Sequence, residues 1–453
     1  ESPVIGVALN MDDSQITFYK ENSTQGAISF TGGIDSSSLV LPAFGFQSVG
    51  SANTVYANFG SDSSFAGTKT AGGNADSGGV GDFFYAPPSG YLALCTSNLD
   101  DPSIKLPGDN FTPTIYSGND TAIGSGGKTI SGLNFQPDLT WFKNRDEADS
   151  FDIYDAVRGV TKRIQSDSVS SGLCDAQSTQ AEGLTAFNSD GWTMGNRENV
   201  NYSARYVTWS WLGDGVSGGT LNEEGSIDSQ INVNTTAGFS IATYTSDGVS
   251  GATFGHGLSE VPELVMVKNL DTGANWVLYS DVLGESGGEL GYLLLNLSTA
   301  QGYSNGAWSS SPTATLSPGL GTWDNVNTSG EDYLAYCFHS VEGYSKVGVY
   351  AGNSSTDGTF VYCGFKPAMI LIKAVDSGQQ WGIEDGVRSP YNVIEDLLFP
   401  NLSDAESTNS VFGVDFVSNG FKWRGNNATM NYTGINYMYY AVADSPFKYA
   451  NAR

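Results

Sequence analysis

Two kinds of residue in this chain could do chemistry: carboxylates in close pairs, and two histidines. The pairs are Asp146 with Glu147, Asp152 with Asp155, and Glu384 with Asp385. Two carboxyls flanking a cleft at roughly 5–9.5 Å can cut a glycosidic bond. Sequence neighbours on a strand, however, point to opposite faces. A chain with 48 Asp and Glu also produces such pairs by composition alone, so solvated loops and turns are the better expectation. His256 and His339 are the only histidines. His256 lies in "FGHGLS", where a sister stretch of the chain reads "ISGLN", and a residue so replaced reads as a loop histidine. There is no HExxH, GxSxG or phosphate-binding loop. The expectation is therefore no enzyme, with no catalytic and no metal residues assigned. The Asp-rich turns "NMDDS" (10–14) and "NLDDPS" (98–103) could hold calcium through carboxylates and carbonyls. Neither matches the D-x-D-x-D-G loop, so calcium is the only cofactor left open and no ligands are named.

Binding needs less than catalysis. Tyr303, Trp308 and Trp323 fall in "AQGYSNGAWSSSPTATLSPGLGTW", an irregular stretch rich in Gly and Ser. Aromatic faces on such loops suit sugar or protein recognition. They are the candidate receptor-binding residues, the competing role being anchors that pin the loop to its domain. Trp141, Trp209, Trp211, Trp276 and Trp381 sit in strand-like patterns and are expected in the core.

The elements that would position these residues are strands. Short alternating runs are bounded by Gly, Asn, Asp and Ser, and no long segment has helical apolar spacing. The chain is all-β by pattern, and 453 residues are enough for several cores. Its formal charge of −28 repels phosphate backbones and anionic membrane surfaces, which excludes nucleic acid as a partner. No run approaches the ~18 apolar residues of a membrane span, so membrane insertion is excluded too. Cys95, Cys174, Cys337 and Cys363 show no paired spacing and read as free thiols. The opening "ESPVIGVALN" already lies inside a strand-like pattern and reads as the continuation of an upstream region.

Three stretches repeat. "GLNFQPDLTWFKN" (132–144), "GLSEVPELVMVKN" (257–269) and "CGFKPAMILIKAV" (363–375) align on Pro137, Pro262 and Pro367, and on Lys143, Lys268 and Lys373. Between proline and lysine lie runs suited to a strand buried on both faces. Twelve residues past each lysine stand Asp155, Ser280 and Asp385, and a closing aromatic strand carries Tyr206, Tyr333 and Tyr437. The lysine-to-tyrosine separations are 63, 65 and 64 residues, too regular for chance. The period, on the order of 110 residues, is far beyond solenoid repeats. Three homologous β-sandwich domains are predicted at 115–213, 238–345 and 346–453, with linkers at 96–114 and 214–237. If the aspartate makes a shared structural bond, the second copy with Ser280 must satisfy it differently.

Residues 1–95 do not follow the repeat. They carry "GVALN" (Gly6–Asn10), an F-Y-x-x-N hairpin (Phe18–Asn22), "NFG" (Asn58–Gly60) and "PPSGY" (Pro87–Tyr91), with "LVLPAFGFQS" between them. In that order these resemble the C-terminal half of a SPRY domain, which implies a partial SPRY-like β-sandwich ahead of the three tandem ones. The whole chain, through "VEGYSKVGVYAGN" (341–353) and "DSPFKYANAR" (444–453), also resembles SPRY-containing, tail-fibre-like virion proteins of marine tailed bacteriophages. That resemblance implies a non-enzymatic virion appendage, a homotrimer that joins other tail or capsid proteins. It also implies attachment to a host-cell-surface glycan or protein by multivalent binding. Capsid decoration, as a head fibre, is the alternative, and a secreted glycan-binding or glycan-cleaving protein is a third.

Overall fold

The computed structural model describes residues 3–30, 42–43, 54–167 and 172–450. Most of "LVLPAFGFQS" lies outside them. The chain forms two compact units, Glu1–Asp101 and Pro102–Arg453. The described residues are all-β, with one four-residue α-helix, Glu198–Asn201, and short 3-10 turns. Among them no helix is long and apolar enough to cross a membrane.

In the first unit, strands Ile5–Asn10, Gln15–Lys20 and Ser23–Ser29 form an antiparallel sheet in chain order. The Asp-rich turn works as its composition predicts: the Asn10 side chain accepts from the Asp13 N–H at 3.0 Å and donates to the Asp13 carboxylate at 2.9 Å. Residues 54–101 are mostly loop, and Asp76 organises them. Its carboxylate accepts from the N–H groups of Gly78, Val80 and Ala93 and from the Asn98 amide.

The second unit contains all three copies, built alike. In each, the edge, closing, lysine-bearing and following strands lie side by side. These are Phe111–Ser117, Arg205–Trp211, Leu139–Asn144 and Asp152–Asp155 in copy one. Copy two uses Phe239–Thr245, Asp332–Phe338, Leu264–Asn269 and Val277–Ser280. Copy three uses Ser345–Ala351, Asn436–Pro446, Phe365–Ala374 and Trp381–Asp385. A second layer covers one face of each sheet: Lys128–Ser131, Leu184–Asn188 and Gly191–Met194 in copy one, Trp308–Ser310 and Gly319–Leu320 in copy two, Phe360–Tyr362, Val414–Val417 and Gly420–Trp423 in copy three. Each copy thus has its own sandwich core.

The other face of each sheet is buried as well, against the other copies. One apolar cluster draws Trp141, Trp209 and Trp211 from the first copy, Met266 and Phe338 from the second, and Leu371 and Tyr440 from the third. This is why the lysine-bearing strands are apolar along their whole length. Every residue of Leu139–Asn144 and Leu264–Asn269 is buried, one face in its own sandwich and one in the shared core. The five tryptophans predicted as core are all buried. Pro367 sits where the third copy's register shifts, so its missing N–H falls at a bulge.

One set of side-chain hydrogen bonds between copies runs one way round a closed ring. Trp276 Nε1 of copy two donates to the Gln165 carbonyl of copy one at 2.7 Å, and Trp381 Nε1 of copy three to the Leu294 carbonyl of copy two at 2.9 Å. The Ser166 hydroxyl of copy one closes the ring on the Pro400 carbonyl of copy three at 2.6 Å. The three sandwiches therefore surround a pseudo-threefold axis.

The segments predicted as linkers are more structured than expected. Within 214–237, Thr220–Asn222 and Ser229–Asn234 are strands added to the edge of the second copy's sheet. The alternating "SQINVN" places Ile231 in the second copy's core. The first copy's edge strand begins at Phe111, inside the predicted linker 96–114, where Phe111 packs on Trp211 at 4.8 Å between ring centroids.

Candidate functional site

The three candidate aromatics do not share one environment. Trp308 is fully buried in the second copy's core, with Nε1 turned to the Leu278 carbonyl at 3.4 Å. It anchors its loop and is not a free binding face. Tyr303 and Trp323 are half-buried. The Tyr303 hydroxyl accepts from the Gln301 amide at 2.5 Å. The Trp323 ring meets Tyr292 edge-on at 4.8 Å and lies against Gly306, where any Cβ would collide with the indole. These two keep a solvent-facing part that could meet a ligand.

The carboxylate pairs are separated by the sheets that carry them. Asp155 and Asp385 face the shared core, while Asp152 and Glu384 face their own sandwiches, on the side of Tyr154 and of Gly382 respectively. Neither pair flanks a common cleft. Asp152 is held by Arg197 at 3.0 Å and Arg163 at 3.6 Å. Burial pushes its carboxyl up, and the two guanidinium groups oppose that. Asp146 binds Arg205 at 2.5 Å at the partly exposed rim. Glu384 is fully buried, and neither of its oxygens has a hydrogen-bond partner in the protein. Burial holds its carboxyl well above the usual carboxylate range.

Both histidines are buried. His256 is buried, its Nδ1 accepting from the Leu258 N–H at 3.1 Å and its Nε2 3.1 Å from the Thr313 carbonyl. Burial lowers its pKa, so it is a neutral tautomer with Nε2 protonated. His339 lies with Nδ1 2.9 Å from the Ser340 carbonyl. Among the described residues no three His, Cys, Asp or Glu side chains come together as a metal site. Cys174, Cys337 and Cys363 are buried free thiols, and Cys95 is free and half-buried.

The most elaborate polar chemistry lies at the seams between copies. Asp155 pairs with Arg158 at 2.5 Å and also accepts from the Tyr336 hydroxyl of copy two at 2.9 Å. Asp385 pairs with Arg388 at 2.6 Å and accepts from Trp209 Nε1 of copy one at 3.2 Å. Glu406 joins Arg388 to Arg145 of copy one, at 3.1 and 2.6 Å. Sequence reasoning noticed the aspartates and passed over the arginines three positions on, although "DAVR" and "DGVR" held that signal.

The repeat lysines are buried at the same seams. Lys143 donates to the carbonyls of Glu147, Asp149 and, in copy three, Ser403. Lys373 donates to Ser298 of copy two, Ala374 and Ser377, and Lys268 to Asn269. Burial lowers their pKa values to about 8 for Lys143 and Lys268 and about 7 for Lys373.

One open groove of about 340 Å³ lies where copy one meets copy three. Its walls are the start of the first edge strand (Phe111–Pro113) and the turn after Asp385, from Gly386 to Ile394. Lys366 and Asp444 form an ion pair of 2.9 Å among the residues that line it.

The model of one protein family, described as a domain of unknown function (DUF7483), matches residues 106–446. The chain belongs to the DUF7483 family. The DUF7483 match spans all three copies as one domain, in keeping with the shared core and the single compact unit from Pro102 onward. Neither the curated proteins nor the solved structures contain a match to this DUF7483 chain.

Proposed function

We propose that the protein is a structural appendage of a virion, of the tail-fibre kind, which attaches to a host-cell surface by multivalent contact. The observation that carries this reading is the ring of three homologous sandwiches about one apolar core. A pseudo-threefold body presents equivalent loops in the same direction on a rigid frame. Several weak contacts made together then yield avidity that no single one supplies. Assembly of chains into a homotrimer multiplies the effect. The resemblance to SPRY-containing virion proteins supports the same reading. So does the placing of Asp155 and Asp385, each paired with an arginine of its own copy, where they accept a hydrogen bond from the neighbouring copy.

Tyr303 and Trp323 are the contact residues proposed on the second copy, and a surface glycan or protein is the proposed receptor. The deciding experiment is electron cryomicroscopy of the particle that carries the chain. Density at the tail with the sandwiches outward is the expected result. Density on the capsid lattice would establish decoration instead, and absence from the particle would overturn both.

A further inference from the structure

The pseudo-threefold ring has three seams but only two covalent connections between copies. Each connection fills the seam it crosses. Between copies one and two, residues 214–234 run along the junction. The Gly218 N–H donates to the Ala156 carbonyl at 2.8 Å, Asn232 accepts from the Asp214 N–H at 2.9 Å, and Ser229–Asn234 pairs with the edge strand Phe239–Thr245. Between copies two and three the shorter connection does the same. Ser340 donates from its N–H to Glu263 at 2.9 Å and accepts from the Val347 N–H at 3.0 Å. Copies one and three have no connection, and their seam holds the open groove.

Aligned by the repeat, the groove is the same site, left unfilled by the described residues. Pro367, Ala368, Gly386, Val387 and Asp444 stand where the filled seam has Pro137, Asp138, Ala156, Val157 and Gly213. Phe111–Pro113 stands where that seam has Phe239–Ile241. The differences open it. Asp138, whose carboxylate caps the N–H groups of Gly213 and Gly215 at 2.8 Å, becomes Ala368, and Ala156 becomes Gly386. Ile241 becomes Pro113, which removes one backbone donor from the edge. Lys366 and Asp444 neutralise one another, so the groove favours neither sign of charge.

We propose that this groove docks an extended, uncharged peptide segment of a partner protein, laid in as Ser229–Asn234 is laid against the second copy. Strand addition supplies main-chain hydrogen bonds, and the accessible apolar walls at Pro113, Val387 and Pro390 select alternate side chains. The proline means that the incoming strand donates to this edge more than it accepts from it.

The test uses the full chain and a fluorescein-labelled peptide of sequence SQINVN, copied from residues 229–234. Saturable anisotropy with a dissociation constant below about 1 mM is expected, weakened at least tenfold in Ala368→Trp, which fills the floor. Ser389→Trp, at the half-exposed wall, gives the same answer should the first variant fail to fold. No saturable binding, or equal binding by folded variants, would overturn the proposal. A concentration-dependent dimer abolished by the same substitutions would also overturn it, by making a second copy the occupant.

Discussion

Asp155 and Tyr336 are separated by 181 positions, yet the tyrosine hydroxyl donates to the aspartate Oδ2 at 2.9 Å inside the shared core. Trp209 and Asp385 repeat the arrangement one step round the ring, at 3.2 Å. Trp209, Tyr336 and Tyr440 are equivalent positions, each three residues beyond the repeat tyrosine. The third partner of the set is Ser280, and three residues on, where its sisters carry Arg158 and Arg388, the second copy has Leu283, which is buried. Acid and base are lost together, so the second seam replaces an ion pair by an apolar contact. Removing one buried partner leaves an uncompensated charge and costs about 3–5 kcal/mol, whereas exchanging both for well-packed apolar groups is often close to neutral.

That difference can be measured in copy one. Asp155→Ser alone strands Arg158 and is expected to lower unfolding stability by about 3–5 kcal/mol. Asp155→Ser with Arg158→Leu imitates the second copy and should recover at least half of that loss in urea titrations. Equal losses in the two proteins would mean that the pair is not an independent unit.

The three repeats were legible because proline, lysine and tyrosine recur at nearly constant spacing. The doubly buried strands were legible because runs such as "ELVMV" have no polar face to offer water. What covered the second face was not legible. A period-two pattern reports burial and cannot say whether a helix, a sheet or a sister domain supplies it, so the copies read as domains in a row. The role of 214–237 was missed for a related reason. Gly and Glu at 218–225 mask the short alternation at "SQINVN". Trp308 could not be told from Trp323 by sequence, since both sit among Gly and Ser, and only packing separates anchor from surface. The groove follows from closure of the ring, which no local pattern encodes.

Lys373 gives the seams a pH dependence. Its folded pKa of about 7 lies below the 10.5 of a free lysine, because burial disfavours the ammonium. Between those values the unfolded chain binds more protons than the folded one. This group's contribution to stability therefore rises with pH across the window and is least favourable below pH 7. Lys373→Met removes the titration. The melting temperature of the parent relative to the variant should climb from pH 6.5 to pH 9, and a constant offset would show that Lys373 does not titrate there.

The half-buried aromatics separate binding from folding. Trp308→Ala opens a cavity in the second copy's core and should cost about 3–5 kcal/mol. Trp323→Ala and Tyr303→Ala remove half-buried rings and should cost less stability than Trp308→Ala while lowering adsorption to host cells. Unchanged adsorption in both surface variants, with folding intact, would remove them from the receptor-binding face.

Glu384 offers the sharpest change for one side chain. It projects into the third copy's core, both oxygens lack hydrogen-bond partners, and the equivalent positions carry Tyr154 and Tyr279. Its folded pKa is raised by burial, with Asp385 and Asp396 adding to the rise and Arg388 opposing it. Above the ordinary glutamate range the folded state keeps a proton that the unfolded chain has released. The contribution of Glu384 to stability therefore falls as pH increases towards its folded pKa. Glu384→Leu, similar in volume and free of any proton, should be more stable than the parent at pH 8 by about 1–4 kcal/mol. The gap should narrow as pH falls to 5, where the unfolded chain begins to take up the same proton. Urea titrations at the two pH values settle it. A variant less stable than the parent at pH 8 would mean that the carboxyl is satisfied by bound water and contributes to the core.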